Sequence, residues 1–238
     1  MKNQTTSRMH RLAAPLVLAL VVPITASGCG EVSPTPVATA DVRWAQSAPS
    51  GTIEDDPWVR AVRAGELAYA TAVNSSNFTD RSLVGTWRED HVRWFARAAA
   101  RRLDEGRAFV VLGPRPFTPL AVDVEPSGTK AMVVGCADDL AISPTADDEY
   151  PEPWPQAFEF RLEQGPDGQR RITGAAGLRE PYTLSTGEAL TDEYCGSVPI
   201  ARGTFDPQPD PRALGDLRGR DLVTPAEPSP TFAVEVPR

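Results

Sequence analysis

The hydrophobic pattern of this chain changes once, near Arg107, from three- and four-residue steps to alternation. That switch dictates helices first and a sheet second. Upstream, Asp56 is placed to cap a helix and Pro57 to fill its first position, after which Trp58, Val62, Gly65, Tyr69 and Val73 fall on one face. Asn74-Ser75-Ser76-Asn77 ends that run. A second helix is predicted from about Glu89 to Glu105, with Val92, Phe95, Ala96, Ala99 and Leu103 on one face, Arg93, Arg97 and Arg101 on the other, and Gly106 as the break. Downstream, strands are predicted over 108–112, 117–124, 129–136, 158–163 and 170–175. Pro126-Ser127-Gly128 and Gly165-Pro166-Asp167-Gly168 are tight connections, so neighbouring strands pair as hairpins and the sheet is antiparallel. The expected fold class is α+β: N-terminal helices packed on a curved antiparallel sheet, with Phe158, Phe160 and Leu162 turned toward them.

The two ends differ in composition from this middle. Residues 29–55 carry Ser33-Pro34-Thr35-Pro36 and then Ala, Ser, Pro and Gly, with Trp44 as the one large anchor, the segment's single aromatic. Residues 206–238 repeat proline at 207, 209, 211, 225, 228, 230 and 237. Both read as disordered Pro-rich segments, a tether and a tail, although Phe232 to Val236 has the alternation of an edge strand. The folded body is expected over 56–205.

Residues 1–28 read as a targeting segment. Lys2, Arg8 and Arg11 precede an apolar run of about 13 residues, Leu12 to Ile24, which suits a signal peptide better than a membrane span of roughly 20 residues. Ala26-Ser27-Gly28-Cys29 resembles the lipobox of bacterial lipoproteins, with Ala26 where that pattern prefers Leu. The resemblance implies a diacylglyceryl group on Cys29, cleavage before it, and attachment to the outer face of the cell membrane. The alternative is an ordinary signal peptide cut near Ala26 or Gly28, which leaves an exposed thiol.

Removing Lys2, Arg8 and Arg11 with that segment takes the formal charge from −8 to −11. So acidic a surface repels nucleic acid and anionic headgroups, which excludes nucleic acid as a partner and leaves acyl chains as the means of membrane attachment. Lysine occurs only at positions 2 and 130, a skew toward arginine that fits a high-GC, actinobacterium-like source.

With Cys29 committed to lipid, Cys136 and Cys195 are an even pair outside the reducing cytosol, and a disulfide is expected. No metal site or cofactor is expected: a zinc site wants four Cys or His ligands, and these two thiols plus His91 are too few.

Helices leading into a curved meander resemble the nuclear transport factor two-like (cystatin-like) roll, a shape shared by small actinobacterial lipoproteins. Val133-Val134-Gly135-Cys136-Ala137-Asp138-Asp139 is similar to a strand ending that recurs in them. The resemblance covers roughly 56–195, departs from the pattern in the acidic insertion after Ile142 and in the segment after Ala176, and implies a cone between sheet and helices. In that superfamily the cone holds a small apolar ligand or carries acid and base groups.

No Gly-x-Ser-x-Gly elbow occurs, and His91 is the one histidine beyond the signal segment, so no catalytic residue is assigned. Asp138 and Asp139 are the candidates for acid or base work, against the plainer reading that they cap a turn. Trp58, Tyr69 and Trp94 are candidate pocket walls, against simple core packing. Asp147-Asp148-Glu149 lacks the spacing and glycine turn of a calcium loop. The leading expectation is a non-catalytic, lipid-anchored module that meets an envelope partner. The alternatives are a domain that binds a small apolar ligand and a dehydratase- or isomerase-like enzyme using Asp138 or Asp139.

Overall fold

The computed structural model describes residues 40–143 and 154–227. The signal segment, Cys29, the run Asp147-Asp148-Glu149 and the candidate strand Phe232 to Val236 lie outside the described residues.

Helix α1 (Pro57–Ser75) begins where its cap requires, Asp56 accepting the Trp58 amide at 2.7 Å. It stops at Ser76, which turns into the left-handed region at φ 56. Helix α2 (Arg81–Thr86) had no sequence signal, because six residues are too short to show a period. The Asp80 side chain caps it and buried Leu83 pins it. Helix α3 (Glu89–Asp104) buries the stripe Val92, Phe95, Ala96, Ala99 and Leu103.

Strands β3 (Phe117–Val124), β4 (Lys130–Ala137), β6 (Gln156–Gln164) and β7 (Arg170–Gly177) form one antiparallel sheet in the order β3-β4-β6-β7. Gly128 and Gly168, at φ 71 and 76, make the two tight turns. Phe158, Phe160 and Leu162 face the helices, and Phe160 meets Phe117 edge to face at 5.0 Å. The strand expected over 108–112 shrinks to β2 (Val110–Val111), paired with β5 (Ile142–Ser143). The Asn74 side chain completes it, accepting the Val111 amide and donating to the Val111 carbonyl.

Strand β4 is buried from Val133 to Ala137, on both faces, which explains its unbroken apolar run. Val133 packs under the helices. Val134 and Cys136 point the other way, into a second core with Leu184, Leu190 and Cys195. That second core is roofed by β8 (Tyr182–Thr183), β9 (Ala189–Leu190) and α4 (Asp192–Cys195), and the Cys136–Cys195 disulfide staples the roof to the sheet.

The structure corrects the expected ends of the folded body. Residues 41–44 are not tether: β1 (Asp41–Trp44) pairs antiparallel with β10 (Gly203–Asp206), and a 3-10 turn at Thr52–Asp55 leads into α1. Nor is the tail loose over 206–227. Helix α5 (Arg212–Gly215) seats Leu214, Leu222 is buried, the Phe78 amide donates to the Val223 carbonyl, and the Val223 amide donates to the Ser76 carbonyl. Isolated apolar residues in a Pro-rich background give no period, yet Leu214 and Leu222 join the core shared with α1 and α3. Among the described residues no helix is long and apolar enough to cross a membrane.

Candidate functional site

A cleft of about 640 Å³ opens between α1, α3 and the β7 edge of the sheet. Its inner walls are aromatic. Tyr69 of α1 leans on Phe95 of α3, ring centres 4.6 Å apart, and Trp87, just before α3, meets Phe95 edge to face at 4.8 Å. Leu140 and Ala175 close the opposite side. At the mouth stand Trp94, 57% exposed, with exposed Asp90 and Arg97. His91 forms part of the wall, its Nε2 donating to the Thr173 carbonyl at 2.9 Å.

The cleft holds one buried ion pair. Glu66 lies three residues before Tyr69 and on the same face of α1, within the apolar stripe, and is 5% exposed. Its Oε2 is 3.3 Å from the Nε of Arg115, which stands in the loop before β3. The contact is a charge pair in which neither of these two atoms has a well-aligned hydrogen bond. Arg115 is oriented from elsewhere: its guanidinium lies over the Phe158 ring at 5.1 Å, and Nη1 donates to the Asp138 carbonyl at 3.4 Å. Behind the pair a second cavity of about 120 Å³ runs beneath Val42 and Trp44 of β1, so Glu66 and Arg115 form a wall between the two spaces.

Burial pushes the Glu66 carboxyl above its ordinary value, with the positive charges of Arg115 and then Arg63 pulling it back. Burial also pushes the Tyr69 phenol up, opposed chiefly by Arg102. At the mouth the Arg88 guanidinium holds the Asp90 carboxyl at about 2. Perturbed groups of this kind, gathered in one concave place, mark a candidate site.

Of the pocket candidates named from sequence, Tyr69 and Trp94 line the cleft. Trp58 does not: it is core, 4% exposed, with the Arg170 guanidinium 4.8 Å over its ring. Asp138 is buried but sits outside the cleft, where it pairs with Arg202 and accepts the amides of Asp139 and Trp154 at 2.8 and 2.7 Å. Asp139 is exposed and also outside it. The reading missed Glu66 and Arg115. A carboxylate inside the stripe Val62, Gly65, Tyr69, Val73 was a visible anomaly. Arg115, in Gly113-Pro114-Arg115-Pro116, carried no periodic signal. Among the described residues no group of three or more His, Cys, Asp or Glu could hold a metal ion.

Fold and cleft together define an α+β domain with a half-buried aromatic pocket. No family model matches the chain, and no curated protein sequence matches it. Among solved structures, the crystal structure of the intermembrane space region of chloroplast protein ARC6 is similar over 56% of this chain and 100% of that one, at 10% identity and a TM-score of 0.33. A likeness that slight does not bear on function.

Proposed function

We propose that this domain is a binding module that holds a small, mainly apolar molecule in the cleft between α1, α3 and β7. A lipid on Cys29 would display it on the outer face of the cytoplasmic membrane. The observation that carries the reading is the cleft itself. About 640 Å³ lies within the range of small-molecule sites, and the inner walls are aromatic, with Glu66 and Arg115 set among them and Asp90, His91 and Arg97 completing the lining. A roll whose core were filled would have favoured the expected envelope-protein contact instead. The dehydratase- or isomerase-like alternative loses its carboxylates, since Asp138 is tied to Arg202 and Asp139 faces solvent. Proton transfer by Glu66 is a second reading, favoured by its raised carboxyl inside the cleft.

Native mass spectrometry of the mature protein from its own host tests the proposal. A retained small molecule, lost on Tyr69→Ala, is the expected result. A chain that comes out empty and binds nothing from a broad apolar library would sink the reading. Chemical alteration of the bound molecule that stops in Glu66→Gln would shift it to the catalytic one. Intact mass of the same sample tests the diacylglyceryl group on Cys29.

A further inference from the structure

We infer that the cleft recognises an uncharged ligand whose apolar ring body ends in a group that both donates and accepts a hydrogen bond, a hydroxyl or a carboxamide, seated against Glu66 and Arg115. The inference rests on the binding reading above and adds the chemistry of the ligand.

Two under-satisfied polar atoms carry it. Glu66 Oε2 and Arg115 Nε are buried and face each other at 3.3 Å as a charge pair, without a well-aligned hydrogen bond at either atom, at a point where both side chains line the cleft. Buried polar atoms are nearly always satisfied, so a paired lapse in one wall of a cavity points to an absent third group. The group must supply a donor to Oε2 and an acceptor to Nε–H. One hydroxyl or one primary amide does both.

Charge narrows the choice further. The pair is neutral as a unit and largely buried, where a third, unpaired charge is penalised. An ammonium would satisfy Glu66 but press a cation on Arg115, and a carboxylate would satisfy Arg115 but face Glu66. The charged groups at the mouth do not alter this: Asp90 is bound by Arg88 at 2.7 Å and Arg97 faces Glu227 at 3.5 Å. The body of the ligand is set by the rings of Tyr69, Trp87 and Phe95, which offer faces and edges to a flat apolar partner.

The test uses the mature chain with Cys29→Ser, which keeps every described residue and needs no detergent. Naphthalene, 2-naphthol, 2-naphthoate and 2-naphthylmethylammonium share one body and are titrated at pH 7 by calorimetry and ligand-observed NMR. The expected order puts 2-naphthol first, by about tenfold or more over each of the others. A merely greasy cleft would prefer naphthalene, because a hydroxyl is better hydrated. Replacing both partners, Glu66→Leu with Arg115→Met, should erase the preference for the naphthol while naphthalene still binds. Equal binding of naphthalene and naphthol, or tightest binding of a charged analogue, overturns the inference and leaves the binding reading intact. No binding by any probe, together with an empty native mass spectrum, overturns both.

Discussion

The indole Nε1 of Trp87 donates to the carbonyl of Gly65 at 2.9 Å, across 22 positions of sequence, and this bond fixes how closely α1 crosses the sheet. The glycine is required by its neighbours and not by its backbone angles. A Cβ on residue 65 would lie 2.4 Å from Ile172 Cδ1 and 3.1 Å from Trp87 Nε1. The approach sets the next residue, Glu66, against the cleft, so packing on the sheet and placement of the site share one cause.

Gly65→Ala should therefore destabilise the domain by about 1–2 kcal/mol. Crowding against fully buried Ile172 outweighs the gain in helix propensity, which is on the order of 1 kcal/mol. Urea unfolding followed by Trp fluorescence measures it. A more stable variant would mean that Ile172 has somewhere to go.

The Cys136–Cys195 disulfide ties the roof over residues 178–200 to the central strand β4. Closing a loop with a sequence separation of 59 is worth about 4 kcal/mol in the chain-entropy model. For a chain of this size that corresponds to roughly 8–16 °C in melting temperature. Reduction, or Cys136→Ser, should lower the melting point by that amount and let protease cut first between 178 and 200. Reaction of both thiols with a maleimide in the folded, non-reduced protein would contradict the bond outright.

What could be read beforehand was what is local. Asp56 and Pro57 mark the start of α1 and Phe158, Phe160 and Leu162 mark a half-buried strand, because each signal lies within a few residues. What could not be read depends on distant partners. Strand β1 pairs with residues some 160 positions away, and Val42 and Trp44 alone give too short an alternation to announce it. Asp138 looked like a candidate base until Arg202, 64 positions on, came to rest against it. Glu66 stood in plain view as an acid in an apolar stripe, but its meaning required Arg115 from a loop without periodicity.

Trp44 of β1 closes the small cavity behind Glu66 and Arg115. Trp44→Ala should cost about 2 kcal/mol, less than a fully buried tryptophan because the side chain is half-buried. It should also speed hydrogen exchange at the Ala45 amide, which donates to the Arg202 carbonyl at 2.9 Å, while α1 and α3 keep their protection. Unchanged exchange at Ala45 would show that β1 is held without this side chain.

Glu66 makes stability depend on pH in a definite direction. Its folded carboxyl is raised above 4.5 by burial, despite Arg115 and Arg63, so charging it inside the domain is harder than in the unfolded chain. For a raised value the contribution is fully present below the unfolded value and is lost as pH rises through the folded one. The contribution of Glu66 to the unfolding free energy should accordingly fall from about pH 4.5 upward. Glu66→Gln removes the titration, so the difference between variant and native chain should move in favour of glutamine over the same interval. Asp90 does not confuse the comparison. Arg88 holds it at about 2, and its contribution, present above its ordinary 3.8, is lost only in more acid solution. The Tyr69 phenol is raised above 10 and lies beyond the other end of the range. Urea titrations of both proteins at pH 4, 6 and 8 decide the matter, and parallel curves would mean that Arg115 fully offsets the burial of this carboxylate.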